Sequence, residues 1–338
     1  MIDRRRRVRN VPLAGARAAG LALGVLADAV LGDPHRGHPV AAFGAVASWL
    51  ERRWWADRRA PGVAYAAVLV GGAVGLGALA ERAAARPVPR AVVTAAATWA
   101  VLGGTSLAGE GAAMAASLSA ADIDAARRRL PHLCGRDPSA LDADGLARAA
   151  LESVAENTAD AVVAPLVWGA VAGVPGLLGH RAVNTLDAMV GHRSARYARF
   201  GWASARADDV AGVVPARVSA LVTAACAPLV GGRPADAVRA WRRDAPAHPS
   251  PNAGPVEASF AGALGLRLGG RTIYPYGVQD RPVLGDGRAP VVTDLPRAVR
   301  LSRAVGLATA AFVVAVVSAW RPPAVRSAAG AAAPEAGD

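Results

Sequence analysis

Lysine is absent from this chain of 338 residues, in which all 38 basic side chains are arginine. A P-loop ends in Gly-Lys-Ser/Thr, and its lysine binds phosphate, so the absence of lysine excludes a nucleotide site of that type. Schiff-base chemistry, which requires a lysine amine, is excluded as well. The formal net charge is +12, but no basic patch is interleaved with aromatic residues, so nucleic-acid binding is not indicated.

Cysteine and aromatic residues are also scarce. The two cysteines, Cys134 and Cys226, stand far apart and match no metal-ligand spacing. They are typical of small packing residues and imply no disulfide framework. Aromatic residues make up 5% of the chain, whereas hydrophobic residues make up 53%. Because alanine, valine, leucine and glycine supply this apolar mass, the composition favours membrane helices that pack through small residues.

Long uncharged runs predict membrane-spanning helices. Residues 60–80 and 91–109 are each long enough to cross about 30 Å of hydrocarbon, and the short linker between them predicts a transmembrane hairpin. We therefore expect an all-α, polytopic integral membrane protein with about five membrane-spanning segments and helical polar segments between them. No strand-like alternation is long enough to predict a sheet. The other candidate segments are 11–31, 161–179, 304–320 and 218–232, the last only if its helix extends back through 210–217. The prolines of segment 161–179 leave a second possibility, a broken helix that lines a cavity.

We expect one membrane domain over residues 1–338. Residues 1–10 form a basic N-terminal segment, and segment 11–31 is predicted to be an uncleaved first membrane helix or interfacial helix. A signal peptide cleaved near residues 27–29 would have the same pattern. The tail 324–338 consists mainly of alanine and glycine and is predicted to be disordered.

The polar residues are concentrated between positions 152 and 217. Glu152, Glu156 and Asp160 are spaced four residues apart and fall on one helix face, with Asn157 beside them. A stripe of carboxylates repels itself unless a cation or an arginine lies between them. The pattern indicates either Mg²⁺ coordination or a face neutralised by solvent or by arginine partners.

Two further polar groups follow in the chain. Segment 184–187, Asn-Thr-Leu-Asp, either begins a helix with its asparagine as the cap or supplies oxygen ligands for a metal-bound phosphate. The mixed cluster of Arg206, Asp208, Asp209 and Arg217 suits phosphate groups and hydrated Mg²⁺. A salt-bridge network at the membrane interface is the other interpretation of this cluster.

Proline-rich segments complete the candidate residues. The run 248–254, His-Pro-Ser-Pro-Asn-Ala-Gly, cannot form a regular helix. Its prolines either preset the backbone so that Ser250 and Asn252 direct polar atoms at a ligand, or they form a bare turn. Asp33 and His38, which each precede a proline, are of the same kind.

An ordered set of short strings resembles the CobD/CbiB family of cobalamin biosynthesis, the adenosylcobinamide-phosphate synthases. The strings extend from about residue 20 to residue 285, and their order makes the resemblance specific. Three positions depart from the pattern, with Gly212 where the family usually has asparagine, Pro255 where an aromatic residue is common, and His180 where tyrosine is common. The matching strings are LGDP (31–34), HPV (38–40), ESVAENT (152–158) with Asp160, APL (164–166), NTLDAMVG (184–191), FGWASAR (200–206), DDV (208–210), PAR (215–217), SPNAG (250–254) and LGG (268–270).

The resemblance implies a multi-pass enzyme of the cell membrane that acts late in corrinoid assembly. Such enzymes form an amide bond between (R)-1-aminopropan-2-ol, or its O-phosphate, and the f propionate of adenosylcobyric acid. ATP is the expected co-substrate and Mg²⁺ the expected cofactor. The expected partners are the corrinoid, the amine, the lipid bilayer and other late enzymes of the pathway.

The chemistry of such a reaction, phosphoryl transfer from ATP followed by attack of the amine, suggests roles for the residues singled out above. The expected catalytic residues are Glu152, Glu156, Asn157, Asp187 and Arg206. The expected metal ligands are Glu152, Glu156, Asp160, Asp208 and Asp209. The expected substrate-binding residues are Asp33, His38, Asn184, Thr185, Arg217, Ser250 and Asn252.

Two other functions are compatible with the same features. Polar residues beside proline-broken apolar segments also mark the substrate pathways of transporters, so a corrinoid transporter or permease is one alternative. A non-catalytic membrane scaffold for corrinoid enzymes is the other, although a scaffold would not need such a dense set of carboxylates, asparagines and arginines.

Overall fold

The computed structural model describes residues 2–33, 37–139, 141–192, 194–274 and 277–320, and the predicted disordered tail lies outside them. Helices dominate the described chain, and a single two-stranded antiparallel sheet interrupts them. The helices are α1 (Ile2–Leu31), α2 (Pro39–Trp54), α3 (Arg59–Ala83), α4 (Pro87–Val101), α5 (Gly104–Ser119), α6 (Ile123–Arg129), α7 (Ala143–Thr158), α8 (Ala164–Leu186), α9 (Trp202–Cys226), α10 (Pro234–Asp244), α11 (Ala253–Leu264) and α12 (Leu295–Ala319). The strands are β1 (Leu268–Tyr274) and β2 (Gly277–Leu284).

Six helical stretches of the described chain are long and apolar enough to cross a membrane, which confirms the predicted all-α polytopic class. The number is one higher than the five expected. The short run 218–232 reaches a spanning length because α9 begins well before it, at Trp202. The stretches are Leu13–Leu31, Arg59–Ala83, Pro87–Ser119, Ala143–Gly191, Trp202–Val230 and Val292–Ala319.

The two consecutive helices α3 and α4 do not form the predicted hairpin, because each packs along a different helix. Gly20 of α1 lies against Thr94 of α4, so close that a Cβ at the glycine would overlap the threonine side chain. Gly77 of α3 contacts the backbone of Pro175 in α8 in the same way. Small residues let helix backbones approach within a membrane, and here they select the partner of each helix.

Gly173 reverses the direction of α8. Its φ of 66° and ψ of −144° lie in a region that residues with a Cβ avoid. We call residues 164–172 the outgoing half and residues 174–186 the return half. The two halves lie side by side, and Gly176 of the return half packs against a backbone carbonyl of the outgoing half. The sequence left open whether segment 161–179 is a continuous span or a broken helix. The structure shows a broken helix, and the break is at Gly173.

Three charged side chains stabilise this reversal, and we call them the Arg17–Glu81–Arg90 cluster. Glu81 of α3 accepts a hydrogen bond of 3.0 Å from the backbone N–H of Val174, where the return half begins. Arg17 of α1 donates to the carbonyl of Ala170 at 3.3 Å, and Arg90 of α4 pairs with Glu81 at 2.9 Å. A reversal leaves backbone groups without helical partners, and these side chains supply the missing hydrogen bonds.

The sheet is a hairpin that the sequence analysis did not predict. In it Thr272 of β1 lies opposite Gln279 of β2. The prediction of no sheet is wrong for this segment because its strands are short, contain glycine and lack clear alternation. Arg148 of α7 donates to the carbonyls of Gly269 and Arg271, each at 2.8 Å. These bonds attach β1 to α7.

We expect Gly173→Ala to lower the free energy of unfolding by about 1–3 kcal/mol, because alanine is strained at this backbone conformation. Its Cβ would also overlap the carboxylate of Glu81. Gly72→Ala is the matched control at an exposed, uncrowded helical position of α3, and it should be neutral or slightly stabilising. Chemical unfolding in detergent measures both variants, and equal stability would contradict the reversal.

Candidate active site

A cavity of about 420 Å³ lies where α7, the turns just before and after α8, α9, the loop before α11 and strand β2 meet. We call it the acidic cavity. Its lining combines side chains from distant parts of the sequence, and most of them belong to the groups that the sequence analysis singled out. The charged and polar lining residues are Glu156, Asp160, Asp187, His192, Arg206, Asp208, Asp209, His248, Ser250, Asn252, Gln279 and Arg281.

Two π-helical turns carry acidic side chains of this lining. Asp160 belongs to the turn Ala159–Val163 between α7 and α8, and Asp187 begins the turn Asp187–Gly191 after α8. A π turn inserts an extra residue into a helix and is frequent at functional sites. Gly191 leaves space for the carboxylate of Asp187, since a Cβ at the glycine would overlap it.

Asn184, in the return half of α8, lies between two carboxylates. Its side-chain nitrogen is 3.4 Å from Oδ2 of Asp160 and 3.5 Å from Oδ1 of Asp208. Asn184 lies within α8, so the alternative that it caps a helix is wrong. Its amide donates toward both acidic groups and thereby reduces the repulsion between them.

The first turns of α9 are linked to the loop before α11. Arg206 pairs with Asp209 at 3.0 Å. Asn252 donates its side-chain amide to the backbone carbonyls of Asp208 and Asp209, at 3.3 and 2.9 Å. Gly212 makes room for this amide, because a Cβ there would overlap it. The glycine that departs from the family pattern therefore has a packing role in this chain.

The loop before α11 is held at several points. The hydroxyl oxygen of Ser250 accepts hydrogen bonds from the backbone N–H groups of Asn252 and Ala253, at 3.3 and 3.1 Å, and so pairs two backbone donors at the start of the helix. Arg217 of α9 donates to the carbonyl of Pro251 at 2.8 Å. Ser250 and Asn252 line the cavity, whereas Arg217 secures the loop from outside the lining.

Four residues expected at the site do not line the acidic cavity, and three of them have their polar groups engaged elsewhere. Glu152 is 2% exposed. Its Oε1 accepts the backbone N–H of Gly269 at 2.7 Å, and its Oε2 pairs with Arg136. Asn157 and Thr185 donate to the carbonyls one turn earlier in their own helices, at 2.9 and 2.7 Å. Asn184 does not line the cavity itself, but it contacts Asp160 and Asp208, which do.

Asp33 and His38 also lie apart from this cavity lining. Nδ1 of His38 accepts the backbone N–H of Val40 at 3.1 Å, so the histidine caps α2. Its Nε2 lies 3.9 Å from a carboxylate oxygen of Asp33. The proline and histidine that follow Asp33 lie outside the described residues.

Sequence reasoning gave no role to Glu257, His248 and Arg281, which form a group in the wall of the cavity. Oε1 of the 1% exposed Glu257 is 3.9 Å from Nε2 of His248 and 3.8 Å from Nη1 of Arg281. Burial, and then repulsion from Glu156 and Glu152, raises the pKa of Glu257 well above its usual value. Burial lowers the pKa of His248. His248 begins the proline-rich run 248–254 and Glu257 follows that run by three residues, whereas Arg281 reaches the group through the unpredicted hairpin.

Acidic groups outnumber basic groups in the cavity lining, where five carboxylates accompany the guanidinium groups of Arg206 and Arg281. Such a lining attracts cations. Within the described ranges, no three histidine, cysteine, aspartate or glutamate side chains form a ready-made metal site. Mg²⁺ usually binds one or two carboxylates and keeps water or phosphate oxygens as its other ligands. The carboxylates therefore fit Mg²⁺ together with a phosphorylated substrate.

Comparisons with known proteins cover most of the chain. The family model described as CobD/Cbib protein matches residues 21–302. The cobalamin biosynthesis protein CobD of Mycobacterium tuberculosis is 58% identical over 306 residues, which are 90% of this chain and 97% of that protein. The proteins of the same name from Rhodobacter capsulatus and Geobacter metallireducens are each 41% identical, covering 85% and 79% of this chain and 93% and 86% of their own lengths. No solved structure matches the chain.

We expect the titration of Glu257 to lower the stability of the protein as the pH rises. Its pKa is raised in the folded state, so the folded protein keeps a proton that the unfolded chain releases. The stabilisation is complete below the unfolded pKa of about 4.5 and is lost as the pH passes the folded pKa. Glu257→Gln should flatten this slope in thermal unfolding measured across pH.

Asp286→Asn is the control for this prediction. Hydrogen bonds from Arg243 lower the pKa of Asp286, so this group titrates below the window in which Glu257 acts. The slope above pH 4.5 should therefore be unchanged in Asp286→Asn. If Glu257→Gln kept the wild-type dependence of stability on pH, it would contradict the claim that the folded protein retains a proton on Glu257.

Proposed function

Because the chain belongs to the CobD/CbiB family, we propose that it joins aminopropanol, or its O-phosphate, to the f propionate of adenosylcobyric acid. The new bond is an amide, ATP drives its formation, and the product is adenosylcobinamide or its phosphate. The family match and the names of the relatives support a role in cobalamin biosynthesis. The six apolar helices support a multi-pass membrane protein, and we place it in the cell membrane.

The acidic cavity with its two guanidinium groups is the observation that carries the proposal. A carboxylate is a poor electrophile at neutral pH, and transfer of a phosphoryl group from ATP gives it a good leaving group. The protein promotes such a transfer by positioning the reactants and by placing cationic groups near the phosphoryl oxygens, and it forms no covalent bond itself. Arg206 and Arg281 supply planar donors suited to phosphoryl oxygens. The Arg206 side chain is 63% exposed, and an exposed ion pair contributes little free energy. Arg206 can therefore leave Asp209 and pair with a substrate phosphoryl group.

The excess of carboxylates suits the amine substrate. Aminopropanol carries an ammonium group at neutral pH, and a carboxylate such as Asp187 binds that cation. The ammonium loses one proton to a carboxylate, and the nitrogen lone pair then attacks the activated carbonyl carbon. The phosphate leaves with the oxygen to which it was bonded and takes the second proton of the nitrogen, which leaves a neutral amide. The overall change is one ATP converted to ADP and phosphate for each amide formed.

Mg²⁺ fits this cavity beside phosphate oxygens, and Asp160 and Asp208 would hold it, with Glu156 and Asp209 along the same wall. When bound, the ion neutralises the negative charge that phosphoryl transfer places on oxygen. Asn184 keeps Asp160 and Asp208 close together before any ion binds. Both oxygens of the predicted ligand Glu152 are engaged, so we omit it from the proposed set.

Corrinoid transport is the second candidate, and the reversal at Gly173 favours it. Discontinuous helices whose ends meet a polar cavity are common in secondary transporters. The two functions differ in chemistry, because an enzyme changes the mass of the corrinoid in detergent while a transporter requires two compartments. A scaffold for other late enzymes of the pathway would do neither.

The test uses purified protein in detergent with adenosylcobyric acid, Mg-ATP and either aminopropanol or its phosphate. A gain in corrinoid mass equal to the amine minus water, dependent on ATP, is the expected result. Parallel reactions with the two amines decide which one is the substrate. Folded protein that yields no covalent product with either amine would favour the transporter or the scaffold.

We expect Asp208→Asn to lower turnover by about 100-fold or more while its thermal stability stays near wild type. Glu152→Gln is the contrasting variant, because it breaks a buried pair with Arg136 outside the cavity lining. It should lower the free energy of unfolding by about 3 kcal/mol and leave turnover per folded molecule nearly unchanged. Equal losses of turnover in the two folded variants would contradict this division of roles.

A further inference from the structure

A second cavity, of about 570 Å³, lies between α1, α4, α8 and α12. We call it the basic cavity. The outgoing half of α8 contributes Ala170 and Val171, next to the reversal at Gly173. The return half runs from this reversal to the acidic cavity, a length of about 18 Å at 1.5 Å per residue. The basic cavity is therefore separate from the proposed reaction site.

The basic cavity contains two guanidinium groups beside a single carboxylate. Arg90 is fully engaged, since it donates to the carbonyls of Ala84 and Glu81 at 3.1 and 2.6 Å and pairs with the Glu81 carboxylate at 2.9 Å. Arg17 is held less firmly. Its Nη1 donates to Ala170 at 3.3 Å, and its Nη2 is 3.9 Å from Glu81, too far for a hydrogen bond. Among the described residues, its Nε–H and Nη2–H groups make no hydrogen bond, and the side chain is 27% exposed.

The remaining wall is apolar. Leu13 of α1, Val171 of α8 and Val316 of α12 contribute to it. Val171 is 70% exposed and Val316 is 42% exposed, so both valines stand at its open side. Trp320, at the end of α12, is 65% exposed, and tryptophan is enriched where membrane meets water. These features put one polar anchor beside an apolar groove whose exposed tryptophan is of the type found at membrane interfaces.

We propose that the basic cavity binds an anionic phospholipid, with its phosphate on Arg17 and its acyl chains against the apolar wall. The exposed side chains of Arg82 and Arg86, near Arg90 in the chain, add further positive charge to this end of the bundle. A guanidinium with unused donors matches a phosphate oxygen, and the valines match hydrocarbon. The bound lipid adds a partner to the Arg17–Glu81–Arg90 cluster and so stabilises the reversal of α8.

Delipidated protein in detergent tests this proposal through thermal unfolding and native mass spectrometry. Phosphatidylglycerol, phosphatidylcholine and inorganic phosphate are added separately. Phosphatidylglycerol should raise the melting temperature and be retained as a bound adduct, because a ligand of the folded state stabilises it. Equal effects of the two lipids would overturn the proposal. An equal effect of inorganic phosphate would show a free-anion site and would overturn it as well.

Tryptophan substitutions in the basic cavity test whether phosphatidylglycerol binds there. Val171→Trp and Val316→Trp fill the basic cavity from exposed positions and leave the charged cluster intact. Each should weaken the apparent affinity for phosphatidylglycerol by about tenfold or more. Val68→Trp, at an exposed position of α3 outside the cavity lining, is the matched control and should bind as wild type. Wild-type affinity in both cavity variants, or an equal loss in the control, would place the lipid elsewhere and refute the proposal.

Discussion

The reversal of α8 at Gly173 is the constraint on which the rest of the structure depends. A continuous helix would separate positions 160 and 184 by about 36 Å, at 1.5 Å per residue. The reversal instead brings the side chains of Asp160 and Asn184 to 3.4 Å. It is possible because a glycine accepts the left-handed backbone and because the Arg17–Glu81–Arg90 cluster supplies hydrogen bonds at the turn. The acidic cavity exists because of this geometry.

Bringing so many carboxylates together is unfavourable, and the structure only partly offsets the cost. The amide of Asn184 lies between Asp160 and Asp208, and Arg206 pairs with Asp209. An excess of acidic groups remains in the lining. A cationic ligand reduces that repulsion, and the substrates proposed here provide one as an ammonium group or as Mg²⁺ with phosphate. The electrostatics of the acidic cavity therefore support the proposed amide formation.

Features that depend on local sequence could be predicted, whereas features that depend on distant contacts could not. Uncharged runs of membrane length have few stable structures other than helices, so the fold class followed from the sequence. Carboxylates beside apolar runs are costly unless they are paired or functional. This rule made it possible to single out Asp160, Asp187 and Asp208 from the sequence. Glu152 has the same pattern, and only the hairpin shows that its partners are structural. The reversal was not predicted because Gly173 resembles the other glycines of the membrane segments in sequence.

The most direct measurement of the central claim is the distance between positions 160 and 184. Spin labels would be attached to cysteines at these positions in a chain whose Cys134 and Cys226 are replaced by serine. Pulsed electron paramagnetic resonance in detergent or nanodiscs then gives the distance between the labels. The reversal predicts a distribution centred below about 20 Å, because the two side chains meet at the cavity. A distance near the 36 Å of a continuous helix, at about 1.5 Å per residue, would contradict the account.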